Sequence, residues 1–169
     1  EGMRRAARSL ERACRDGGDR AARTDMAMAS LMGGLALANA GLGAVHGFAA
    51  PLGGAFPAPH GAVCAALLPH AMKINIAALR AREPESEALR RYETVARLLT
   101  GRADAAPEDG AAWAAALCRG LGIPPLRAYG VTASDTPALC ERAARASSMK
   151  GNPIALTAGE LAAIVERAL

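Results

Sequence analysis

Aromatic side chains are scarce: the 169 residues hold one tryptophan, two tyrosines and two phenylalanines, 3% of the chain. The stacking surface on which single-stranded nucleic acids are held is therefore missing. The net charge of +4 comes from arginine spread along alanine-rich stretches, as at Arg4, Arg5, Arg8, Arg12 and Arg15, and reads as solvated helix faces with no nucleic-acid partner. The four cysteines, Cys14, Cys64, Cys118 and Cys140, include no C-x-x-C pair. They call for no disulfide framework and read as small buried hydrophobes in a reducing compartment, the cytoplasm. A period-two alternation is absent from the whole chain, so no strand is expected and the fold class is all-α. The chain opens EGMRR, without an initiator methionine or a charged-then-apolar leader, as a piece of something longer would.

Charge itself is absent from Met26 through Met72. Met26 to Val45 alone would supply the roughly 20 uncharged residues that cross a bilayer. Ser30 and Asn39 interrupt it, however, and the prolines and glycines of PLGGAFPAPHG (51–61) would leave backbone groups unpaired in lipid. The segment reads instead as a central helix buried on all sides, with Gly33, Gly34, Ala36 and Ala40 allowing close approach of its neighbours and no membrane partner.

The remaining chain divides into helices by its punctuation. Residues 3–16 carry apolar positions at helical spacing and stop at Asp16-Gly17-Gly18. Thr24 or Asp25 offers an N-cap for the uncharged helix, which ends in a glycine-rich turn around His46. A helix from about His60 to Arg82 contains Pro69, which should bend it or end its first part. Residues 86–101 form an amphipathic helix closed by Gly101, and Pro107-Glu108-Asp109 opens another to Leu121. Ile123-Pro124-Pro125 is a turn, Asp135-Thr136-Pro137 starts a helix to about Ser147, and SSMKGNP (147–153) is a loop. Thr157-x-x-Glu160 is a capping box for a final helix. At this length, one domain spanning 1–169 buries a sufficient core.

Only three histidines are present, His46, His60 and His70, and all three lie in the uncharged segment. A buried neutral imidazole needs a hydrogen-bond partner or a metal, since leaving it unpaired costs about 1–3 kcal/mol. Glycine permits close backbone approach and proline stiffens the chain, so His46 and His60 can converge on one point. Their spacing is not that of a zinc module or an H-E-x-x-H helix and signals a metal only weakly by itself.

The stretch GLGAVHGFAAPLGGAFPAPHGAVCAALLPHAMKIN (41–75) resembles the histidine signature of the iron-containing alcohol dehydrogenases, and the closing SSMKGNPIALT extends the likeness over the chain. The resemblance implies the helical, bundle-like C-terminal domain of that fold, which it shares with dehydroquinate synthase-like proteins. It also implies an N-terminal α/β domain binding NAD or NADP that would precede Glu1. It makes His46 and His60 the last two metal ligands; the first two, an aspartate and a histidine, would belong to a helix before Glu1. His70 matches a position that is not a ligand and reads as a core or helix-end histidine. Ala50 stands where many members carry a further histidine near the nicotinamide, so a proton relay through that side chain is ruled out.

The activity implied is hydride transfer between an alcohol carbon and the nicotinamide, giving an aldehyde or ketone, with Fe(2+) or Zn(2+) as Lewis acid. The part alone would be inactive, and the longer protein would form a homodimer or larger homo-oligomer. Gly47, Phe48, Pro51 and Phe56 would either wall the site from water or only pack, and none of them is assigned a catalytic role. Catalytic and cofactor-binding residues are not assigned within the chain. A zinc-dependent relative of the glycerol dehydrogenase kind and a helical interaction or oligomerisation module without activity remain as rival readings.

Overall fold

A computed structural model describes residues 1–169, which form eight α-helices and three short 3₁₀ turns without a strand. The all-α expectation holds. The first pair is a hairpin, α1 (Gly2–Arg15) against α2 (Arg20–Ala40). Its apolar stripe is thin, and much of its register comes from one carboxylate: Asp25 accepts from Arg5 at 2.8 Å, Arg8 at 2.6 and 2.7 Å, and the buried Ser9 hydroxyl at 2.6 Å. These donors hold the Asp25 carboxyl well below the usual carboxylate range. Because Asp25 is used there, the helix begins earlier than Thr24 or Asp25 would place it. Asp19 is the N-cap, accepting from the Ala22 N–H at 3.0 Å.

The centre of the molecule is α4 (His60–Arg82), which packs on α3 (Ala44–Ala55), α5 (Glu87–Thr100), α6 (Pro107–Gly120) and α8 (Ala158–Ala168). It buries Val63, Leu67, Ile76 and Leu79 almost completely, each contributing about 1.5–3 kcal/mol relative to exposure. The remaining helix, α7 (Thr136–Arg145), closes the far side against α3 and α8. Phe48 and Leu52 of α3 meet Leu139 and Ala143 of α7 and Ile164 and Val165 of α8 in one cluster. Ion pairs pin the exposed end of α4: Arg80 donates to Glu108 at 2.7 Å and Arg82 to Glu160 at 2.8 Å.

Pro69 does not end α4, which runs through it. A proline here supplies no N–H to the carbonyl four residues earlier, that of Ala65. The Cys118 thiol on α6 donates to that oxygen instead, at 3.3 Å, so the neighbouring helix satisfies the orphaned acceptor. By length and composition α4 could span a bilayer, but 56% of its apolar window is buried inside the fold. The chain bends by 101° between α2 and α3, so Met26–Val45 is not one straight rod.

Three other expectations are corrected. The uncharged helix is not buried on all sides: α2 buries only Ala22, and Leu31, Leu35 and Leu37 are exposed, because no element of residues 1–169 covers that face. The glycine-rich stretch around His46 is not a turn but the helix α3, which tertiary contacts hold against its poor propensity. Of the cysteines only Cys140 is buried, while Cys14 is exposed and Cys64 and Cys118 are half-buried. The segment SSMKG (147–151) is a 3₁₀ turn, and the capping box at Thr157 and Glu160 forms as expected, with bonds of 2.7 and 3.2 Å.

Candidate metal centre

Gly43 precedes α3 and has no side chain to cap it. The cap comes from 108 residues further on: Asn152 Oδ1 accepts the Ala44 N–H at 3.1 Å. Asn152 is held in turn by the buried Asn75 of α4, through bonds of 3.2 and 2.8 Å, and it donates to the Ile154 carbonyl at 2.8 Å. Asn75 also donates to the Tyr92 hydroxyl at 3.0 Å, and burial pushes the Tyr92 phenol up. Two glycines make the approach possible. A Cβ on Gly47 would sit 2.7 Å from the Met149 methyl, and one on Gly151 would overlap the Leu42 carbonyl. Residues 147–152 therefore act as a cradle that seats the first turn of α3.

That first turn carries His46, and the first residue of α4 is His60. Pro59 is extended at φ −60° and ψ 130° and sets the direction in which α4 departs. The two imidazoles face each other with ring centroids 5.4 Å apart and planes inclined at 52°. The N-termini of α3 and α4 thus converge, and their positive ends favour anionic groups between them. Burial, then the neighbouring His60, pushes the His46 imidazole below its ordinary pKa. A neutral imidazole is the form that ligates a metal.

A third donor stands at the same point. Cys64 follows His60 by one helical turn, and its Sγ lies 3.5 Å from His60 Nε2 and 3.9 Å from His46 Nε2. All three donor atoms fall within 4.8 Å of one another. Burial pushes the Cys64 thiol up. His60 is exposed while His46 and Cys64 are half-buried, so the cluster is open on one side. This donor set, two imidazoles and a thiol, suits a borderline or soft divalent ion.

His70 lies outside the cluster, since ten residues of helix carry it about 15 Å along the axis from His60. It is half-buried in mid-helix rather than at a helix end, with Nδ1 buried and unpartnered. Burial, with Lys73 and Arg167, pushes its pKa down. Ala50, exposed one turn after His46, offers no titratable group. Phe48 is fully buried and Gly47 buried, while Pro51 and Phe56 are half-buried, so Phe48 belongs to the core. Sequence reasoning missed Cys64, although a histidine and a cysteine four apart in a helix share a face. It also missed Asn152, whose role rests on a contact that no local pattern carries.

The chain matches, over residues 1–169, the family model described as Fe-containing alcohol dehydrogenase family, C-terminal. It is 38% identical over 175 aligned residues to the 1,3-propanediol dehydrogenase of Klebsiella pneumoniae, covering 99% of this chain and 43% of that protein. Against alcohol dehydrogenase 4 of Saccharomyces cerevisiae it is 34% identical over 161 residues, covering 95% of this chain and 40% of that one. A crystal structure of a 1,3-propanediol oxidoreductase superposes with a TM-score of 0.86 at 34% identity, over 99% of this chain and 43% of its own. The chain therefore spans about two fifths of the length of these relatives. On this match, the chain belongs to the Fe-containing alcohol dehydrogenase family and corresponds to its C-terminal, all-helical part.

Proposed function

We propose that residues 1–169 are one helical domain of a metal-dependent alcohol dehydrogenase, which interconverts an alcohol and an aldehyde or ketone with NAD or NADP. The observation that carries the reading is the convergence of His46 and His60, brought face to face by the starts of two helices. Their Nε2 atoms and the half-open surroundings fit a divalent ion, Fe(2+) or Zn(2+). When bound, such an ion supplies Lewis acidity toward the oxygen of a small alcohol or carbonyl substrate.

The chain's own residues do the rest by placement. His46 and His60 hold the ion's position through rings whose backbones are helical and therefore stiff. Asn152 and Asn75 keep α3 from sliding along α4, which fixes the separation of the two rings. The core behind them, against which the neighbouring Val45 and Cys64 pack, excludes water from the inner side, so that an ion's field is felt more strongly there. The hydride carrier is assigned to the α/β domain of a longer protein, as are the first two ligands. A homodimer or larger homo-oligomer in the cytoplasm belongs to the same reading, and the four free thiols are consistent with a reducing compartment.

The test uses the protein expressed from its full coding sequence. One iron or zinc per chain and nicotinamide-dependent alcohol oxidation are expected, and His60→Ala should abolish both. Full activity in that variant would sink the assignment. A module without activity would purify without stoichiometric metal and gain no thermal protection from a dinucleotide, whereas a ligand that binds only the native state must raise its stability.

A further inference from the structure

We propose that the cleft between α7 and α8 is a binding site for a small protonated amine with an apolar tail, whose ammonium group is received by Glu166 and Thr136. It has no residue in common with the metal centre. The cleft follows from the side chains that the two helices carry. Leu139 and Ala143 of α7 and Ile164 and Val165 of α8 turn to the core, while the adjoining faces present Ala144, Ala158 and Ala162, too short to meet across the gap. The space left is about 560 Å³, within the range of small-molecule sites. Thr136, Cys140 and Leu161 are its buried floor.

Two polar features mark one end of it. Thr136 is only 4% exposed and its Oγ1 has no hydrogen-bond partner in the fold, a costly state for a buried hydroxyl. Glu166 is exposed at the rim and enters none of the ion pairs of the fold, whereas Glu141, the other carboxylate of the cleft, pairs with Arg145 at 3.0 Å. Glu166 lies over the floor: its charge, after burial, pushes the Cys140 thiol up, and Cys140 follows Thr136 by one helical turn. The positive start of α7 and the negative end of α8 meet there and offset one another. Ala144, eight residues along α7 and so about 12 Å from Thr136, closes the other end with the apolar Leu156. No lysine or arginine lines the cleft. An ammonium group has three donors and no acceptor, so one serves the Thr136 oxygen and the others Glu166, while the tail covers alanine and leucine surface. An anion would face two carboxylates, and an alcohol would leave the Glu166 charge unanswered.

The probe is n-hexylammonium chloride, titrated calorimetrically into the protein from the full coding sequence. Saturable binding of one equivalent per chain is expected, and it should persist in a His46→Ala/His60→Ala variant, which separates it from amine held at a metal. Glu166→Gln should weaken it at least about tenfold. Ala144→Phe, which fills the apolar end from an exposed helix position, should weaken it as much. Thr136→Val should lower the affinity and at the same time raise the Tm of the free protein, since the unpaired hydroxyl is gone. No saturable binding in the parent, its loss in the double-histidine variant, undiminished binding in Glu166→Gln, or an equal affinity for hexan-1-ol in the double-histidine variant would overturn the proposal.

Discussion

Two glycines with opposite surroundings show how far single atoms decide this fold. A Cβ at Gly151 would overlap the backbone of Leu42, whereas one at Gly159 in α8 meets nothing within 4 Å. Gly159→Ala is expected to stabilise the chain by about 0.5–1 kcal/mol, by removing unfolded-state freedom in a helix. Gly151→Ala should cost upward of about 4 kcal/mol, because backbone rather than a flexible side chain must give way. Urea denaturation of both variants checks the contrast, and equal effects would deny the cradle its role. At this scale the sequence was partly legible. His46 and His60 stood out as rare imidazoles in an uncharged segment, but the thiol of Cys64 looked like one more small apolar residue. Only when α4 is known to start at His60 does the four-residue interval place ring and sulfur on one face.

Among elements, α4 passes through Pro69 without ending, and α6 supports it there. Cys118 donates to Ala65, whose carbonyl the proline leaves free. A weak S–H donor contributes less than the roughly 0.5–1.5 kcal/mol of an ordinary hydrogen bond, and the contribution should depend on the proline. In a double-mutant cycle, Cys118→Ala should cost more in the parent than in a Pro69→Ala background, where the restored N–H takes the carbonyl. Additive effects in chemical denaturation would show that the thiol only fills space. Helix boundaries were legible wherever caps are local, as at Ser86, Thr157 and Gly101. They were misread where tertiary demands compete. Asp25 is a good capping residue whose oxygens are drawn into Arg5, Arg8 and Ser9, and Asp19 caps α2 in its place. The α3 segment, rich in glycine and containing Pro51, has turn-like composition, and Asn152 and Met149 make it a helix from outside.

Over the whole molecule, the all-α class followed from punctuation and periodicity, but the burial of α2 did not. An uncharged stretch predicts a covered helix, and Leu31 and Leu35 are instead 57% and 58% exposed. Composition reports what a segment would bury without saying which elements supply the cover. Residues 1–169 alone should therefore bind a hydrophobic dye and self-associate in proportion to concentration. Leu31→Glu with Leu35→Lys should suppress both while changing unfolding free energy by less than about 1 kcal/mol, since exposed substitutions cost little. Sedimentation and dye fluorescence read the outcome, and unchanged association would place the sticky surface elsewhere. The Asn152 bridge to Ala44 has a consequence in time as well as in space. The start of the helix that carries His46 is synthesised 108 residues before the asparagine that seats it. On the ribosome the two rings are therefore made before they can be aligned, and a chain cut short between His60 and that asparagine holds both histidines without their geometry.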